Sequence, residues 1–84
     1  MSRFVMYTMR FCPFCISFKG DFQSLVNDGE EVVLNDDDPR WNSLRIDYVP
    51  TVIEYEGEKE KRRIQARPMR GISRKEFEQW LAER

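Results

Sequence analysis

The sequence predicts an α/β domain, a four-stranded mixed sheet with three flanking helices in the order βαβαββα. Three observations carry that expectation. An apolar run, an amphipathic stretch and a second apolar run follow one another between Arg3 and Leu34, which is the pattern of a βαβ unit with parallel strands. Two further strand-like runs flank a glycine near position 57, and a capped amphipathic stretch closes the chain. A chain of 84 residues builds one hydrophobic core, so residues 1–84 read as a single domain.

Arg3-Phe4-Val5-Met6-Tyr7-Thr8 is nearly continuous in apolar character, which suits a central strand buried on both faces. From Cys12 the period changes. Phe14, Cys15, Phe18, Phe22, Leu25 and Val26 recur every three or four residues, the stripe of a helix packed on a sheet, with Pro13 in its first turn where a missing N–H costs nothing. Asn27-Asp28-Gly29 ends that helix, and Val32-Val33-Leu34 is expected to be a second buried strand. Asp38 and Pro39 read as the N-cap and first residue of a short helix whose apolar face holds Trp41 and Leu44. Thr51–Tyr55 and Arg62–Ala66 are the expected arms of an antiparallel hairpin. In the last helix Ser73 and Glu76 form a capping box, Ile72 and Phe77 hold staple positions, and Phe77, Trp80 and Leu81 form the buried stripe. Trp41 and Trp80 both fall on apolar helical stripes and are expected in the core.

Apolar residues make up 40% of the chain, enough for a packed interior, and the charged 35% is spread along it, so it should fold. Residues 1–58 hold 5 basic and 11 acidic side chains and residues 59–84 hold 9 and 4, so the halves carry −6 and +5. The acidic Asp36-Asp37-Asp38 run and the overall charge of −1 argue against nucleic acid as partner. Lys59, Lys61, Arg62, Arg63, Arg67 and Arg70 alternate with Glu56, Glu58 and Glu60. A solvated edge strand is the simpler reading, and docking of an acidic partner is the sharper one. No run approaches membrane-spanning length, and the first residues lack the small-residue cleavage pattern of a signal peptide. A monomer in the cytoplasm is the expectation.

The two cysteines, Cys12 and Cys15, are three apart and there is no histidine, so a self-contained four-ligand zinc site is excluded while one shared between chains stays open. A disulfide between them closes too small a loop to staple the fold. Their position points to chemistry instead. With Pro13 opening the helix, Cys12 is its N-cap and Cys15 its third residue, so both sulfurs lie where unpaired N–H groups and the helix dipole stabilise a thiolate. Arg10 adds a possible nearby positive charge. Such surroundings lower a thiol from ~8.5 to roughly 3.5–7.5, raising the attacking fraction at neutral pH and making the same sulfur a good leaving group.

Met6-Tyr7-Thr8-Met9-Arg10-Phe11-Cys12-Pro13-Phe14-Cys15 resembles the active-site segment of glutaredoxins, which usually have Tyr where Phe14 stands. Val49-Pro50-Thr51 resembles the second signature of the glutaredoxin and thioredoxin families, whose proline is cis. The likeness spans nearly the whole chain. It implies a thioredoxin-like fold and a dithiol site with Cys12 as attacking and Cys15 as resolving thiol. It also implies a substrate groove at Arg10, Pro13, Phe14, Val49, Pro50, Thr51 and Gly71, with the residue before Pro50 pairing with an extended substrate. The chain departs from glutaredoxins in having Met9 in place of the usual Lys. It has Arg70-Gly71-Ile72-Ser73-Arg74-Lys75 in place of the Gly-Gly-acidic stretch at the last helix, closer to the thioredoxin form. It lacks the Trp and buried Asp of thioredoxins, since Phe11 and Met6 stand there.

The function expected is thiol-disulfide exchange on protein disulfides or on mixed disulfides with a small thiol. No bound cofactor is expected, with glutathione or another small thiol, or a thioredoxin-reductase-type enzyme, as reductant. Two alternatives remain: a metal or iron–sulfur carrier using Cys12 in a dimer, against which Pro13 weighs, and a noncatalytic interaction module.

Overall fold

The computed structural model describes residues 2–83. Seven elements follow in chain order: β1 (Ser2–Met9), α1 (Pro13–Leu25), β2 (Glu30–Leu34), α2 (Arg40–Ser43), β3 (Thr51–Glu56), β4 (Lys59–Gln65) and α3 (Arg74–Ala82). The sheet order is β2-β1-β3-β4. β1 runs parallel to β2 and antiparallel to β3, and β3 runs antiparallel to β4. This is the βαβαββα arrangement read from the sequence.

β1 is central because Phe4 to Thr8 are all buried. Strand alternation sends its side chains to two cores. Phe4 and Met6 join Phe18 and Phe22 of α1, Val52 of β3 and Phe77 and Trp80 of α3 on one face. Val5 and Tyr7 join Leu34, Ile46, Ile53 and Tyr55 on the other, under α2 and its connections. The first core is an aromatic cluster centred on Phe77, edge-on to Phe18 at 5.0 Å and stacked on Trp80 at 5.8 Å between centroids. The capping box forms as expected: Glu76 N–H donates to Ser73 Oγ at 3.1 Å, while the Glu76 carboxylate accepts from Ser73 N–H at 3.5 Å. Ile72 and Phe77 are both buried in that core.

Four expectations are corrected. β2 is an edge strand rather than a buried one: only Leu34 is buried and Val33 is 46% exposed, because no strand among the described residues pairs beyond it. β4 begins at Lys59, so a two-residue Gly57-Glu58 turn joins the hairpin, with Gly57 at φ 63°. Charged residues fill this outer strand because its free edge is solvated. α2 begins at Arg40, with Pro39 at the N-cap position; the Asp38 carboxylate still accepts the Arg40 N–H at 2.9 Å. Trp41 is only partly buried and donates its indole N–H to the Asn35 carbonyl at 2.7 Å.

The basic segment separates into two parts. Lys61 pairs with Glu56, Arg62 with Glu54 and Arg63 with Glu60, so most of β4's positive charge is spent inside the fold. Arg63 also donates to the carbonyls of Leu44 and Arg45 at 2.8 and 3.2 Å, tying the end of α2 to β4. Among the described residues no helix is long and apolar enough to cross a membrane.

Candidate active site

β1 ends at Met9, and the chain turns through Arg10 and Phe11 before α1 starts at Pro13. The turn closes with Phe11 in the left-handed region at φ 58°, and Cys12 follows as an extended N-cap (φ −96°, ψ 108°). Cys15 is therefore the third residue of α1, and its N–H points back at Cys12, donating to Sγ at 3.1 Å. Cys12 and Cys15 form a disulfide with their Cα atoms 5.2 Å apart. Both are buried, at 7% and 5% exposure, so approach to the sulfurs is confined to one side.

That side is set by the Tyr48–Thr51 segment. The Val49 carbonyl oxygen lies 3.8 Å from Cys12 Sγ, and the Val49–Pro50 peptide is cis. Thr51 holds the segment in place, its hydroxyl donating to the Tyr48 carbonyl at 2.6 Å while Pro50 accepts from Ala66 N–H at 3.0 Å. Gly71 closes the remaining side. Its φ of 71° is left-handed, and a Cβ added there would meet Phe14 Cβ at 3.0 Å, so only glycine lets the Arg67–Gly71 loop rest on Phe14.

The arrangement suits thiol chemistry. When the disulfide is open, the Cys15 N–H and the positive end of the α1 dipole favour a thiolate at Cys12. No His, Asp or Glu is needed for that stabilisation, because the backbone supplies it.

No protein-family model matches the sequence, and no curated protein matches it. Solved structures do match. The germline-specific thioredoxin Deadhead of Drosophila melanogaster superposes with a TM-score of 0.71 at 10% identity, over 98% of this chain and 79% of that one. Thioredoxin f2 of Chlamydomonas reinhardtii gives 0.72 at 16% identity, over 98% and 77%. Thioredoxin O2 of Arabidopsis thaliana in the oxidised state gives 0.65 at 14%, over 99% and 74%. The chain has a thioredoxin fold. At these identities the likeness fixes the path of the backbone, and the chemistry rests on this chain's own side chains.

Within the thioredoxin fold, Cys12, Pro13, Phe14, Cys15, Val49, Pro50, Thr51 and Gly71 converge on one end of the sheet. Phe14 corrects the helix pattern. It leaves the buried stripe and is 38% exposed on the rim, because it lies opposite Gly71 rather than over the sheet. Arg10 is exposed in the turn and lines a cleft of about 620 Å³ with Met9, Phe11, Leu34, Asp36 and Asp37, on the β2 side of the site.

Three exposed residues beside the site were not singled out by sequence periodicity: Phe11, Tyr48 and Met69. Phe11 and Tyr48 adjoin Cys12 and Val49, so adjacency to the motifs was the available signal. For Met69 the signal was Pro68-Met69-Arg70-Gly71, a turn-forming string placed between a strand and a capped helix.

Proposed function

We propose that this chain is a dithiol oxidoreductase that reduces protein disulfides through Cys12 and Cys15. In the reduced chain the Cys12 thiolate attacks one sulfur of the target disulfide, forming a mixed disulfide while the other target sulfur leaves and takes a proton. Cys15 then loses its proton and attacks Cys12 Sγ. The second target thiolate leaves and is protonated, and the chain is left with the Cys12–Cys15 disulfide. Two electrons and two protons have passed to the target. A dithiol enzyme of the thioredoxin-reductase type, or two molecules of a small thiol that become its disulfide, restores the reduced chain.

The Cys15 N–H aimed at Cys12 Sγ at 3.1 Å is the observation that carries this reading, since it marks Cys12 as the sulfur whose negative charge the fold accommodates. Val49 supports the division of labour: beside Cys12, its backbone offers an extended substrate a ladder partner. Pro13 opens α1 between the two cysteines, Phe14 lies against Gly71 of the Arg67–Gly71 loop, and Thr51 fixes the Val49 segment.

Protein disulfides are favoured over glutathione as the recognised substrate. A tripeptide carboxylate would seek free N–H groups at the start of α3, where the Glu76 carboxylate already sits in the capping box and pairs with Arg67 at 3.4 Å. Arg10 remains as a charge for such a thiol, which reacts by direct exchange with Cys12. A reducing compartment such as the cytoplasm would hold the site in its dithiol form.

The test is Cys15→Ser mixed with a disulfide-bonded protein. It should accumulate a covalent adduct on Cys12 that dithiothreitol releases, while Cys12→Ser should yield neither adduct nor reduced target. Absence of adduct in Cys15→Ser would reject the assignment.

A further inference from the structure

Two large apolar side chains beside the disulfide are held in a conformation that costs energy and recovers none of it by burial. Phe11 and Met69 lie at φ 58° and 65°, a left-handed region that a residue with a side chain occupies only at a cost. They are 95% and 88% exposed. Phe11 directly precedes Cys12. Met69 tips the Arg67–Gly71 loop, which Arg67 N–H to Gly71 O and Gly71 N–H to Arg67 O close at 3.1 Å each, and Gly71 seats that loop on Phe14. Outliers of this kind collect where a surface makes contact with something else.

Charge distinguishes the two sides. On the loop side Arg67 is committed to Glu76 at 3.4 Å, whereas the exposed Arg70 has no carboxylate partner among the described residues. The β4 cations Lys61, Arg62 and Arg63 are paired, and Lys59 lies at the Ser2 end of the sheet, away from the disulfide. On the other side the cleft below Phe11 sets Asp36 and Asp37 against Arg10 alone. An acidic side chain is repelled from the Asp36–Asp37 side and attracted to the Arg70 side.

We infer that this rim selects, among protein disulfides, an extended segment with an apolar and an acidic side chain next to its half-cystine. Phe11 on one side and Met69 on the other offer the apolar contact, and the carboxylate lies on Arg70. This inference rests on the dithiol reading above and names the substrate class of that same site.

The experiment uses the pre-reduced chain and three oxidants: a peptide disulfide with Leu and Glu beside the cysteine, the same peptide with Leu and Lys, and 2-hydroxyethyl disulfide. Second-order rate constants for oxidation are compared. Wild type should react with the Glu peptide about 3–10-fold faster than with the Lys peptide at low salt, and the preference should shrink as salt rises. Arg70→Glu should reverse the order. Met69→Gly, which relieves the strained backbone, should lower the ratio of peptide to 2-hydroxyethyl disulfide rates by about 3–10-fold. Equal rates for the two peptides in wild type, or a preference that survives Arg70→Glu, would overturn the inference while leaving the dithiol reading intact. Failure with all three oxidants would overturn both.

Discussion

Removing the Arg62 guanidinium should destabilise the fold severely, and the structure says by how much. Arg62 Nε donates to Glu54 Oε1 at 2.6 Å, its Nη1 donates to the Trp80 carbonyl at 2.5 Å, and its guanidinium lies 4.2 Å from the Trp80 ring centroid. The Glu54 side chain is fully buried, while that of Arg62 keeps 21% exposure. Burial pushes the Glu54 carboxyl up, but hydrogen bonds from Ser2 and Arg62 and the Arg62 charge outweigh it and hold the group below its ordinary 4.5. Arg62→Ala leaves a buried carboxylate without its cation, a loss of about 3–5 kcal/mol, placed near 3 here because truncating the Arg62 side chain, itself 21% exposed, admits water to the bare charge. For a domain of this size that lowers the thermal midpoint by about 12–24 °C.

The pH dependence gives a second reading of the same change. A carboxyl held below its unfolded value contributes stability in full above about pH 5 and loses it as the pH falls through the folded value. In Arg62→Ala the Arg62 hydrogen bond and charge no longer oppose burial, so Glu54 titrates higher and acid relieves the bare charge. The gap between wild type and variant should therefore narrow as pH drops from 7 to 4. Chemical denaturation at both pH values measures this. A gap below 1 kcal/mol at pH 7, or one that widens in acid, would refute the reasoning.

Ser73→Ala removes the acceptor for the Glu76 N–H and should cost about 1 kcal/mol, read by the same denaturation. Gly71→Ala places a methyl against Phe14 at a left-handed φ; it should lose about 1–2 kcal/mol and slow disulfide reduction by moving the Arg67–Gly71 loop, so an unaffected rate would count against that wall. In the reduced chain, Cys12 alkylation by iodoacetamide should titrate with a midpoint below the free-thiol value of ~8.5, and a midpoint at or above it would remove the role given to the Cys15 N–H.

Much of the fold was legible because periodicity and capping are local signals. The change of period at Cys12, the Ser73–Glu76 box and the glycine at the hairpin each identified an element. The cysteine pair was equally legible, since its place at a helix start follows from Pro13. What remained hidden depended on tertiary position. Val32-Val33-Leu34 reads as a buried strand, yet strand order puts it at an edge, which no local pattern states. Phe14 fits a helical stripe but is drawn to the rim by Gly71, fifty-seven residues away in sequence. The β4 charges resembled a docking surface until their partners on β3 and on β4 itself were placed.

The central claim is that Cys12 and Cys15 together pass two electrons to a protein disulfide. The most direct measurement mixes pre-reduced chain with a disulfide-bonded protein in the absence of other thiols and counts, by mass spectrometry after alkylation, the thiols lost and gained. Each chain that acquires the Cys12–Cys15 disulfide should generate two target thiols, and Cys12→Ser should generate none. Target thiols formed equally by Cys12→Ser, or a wild-type chain that stays reduced beside an oxidised target, would contradict the account.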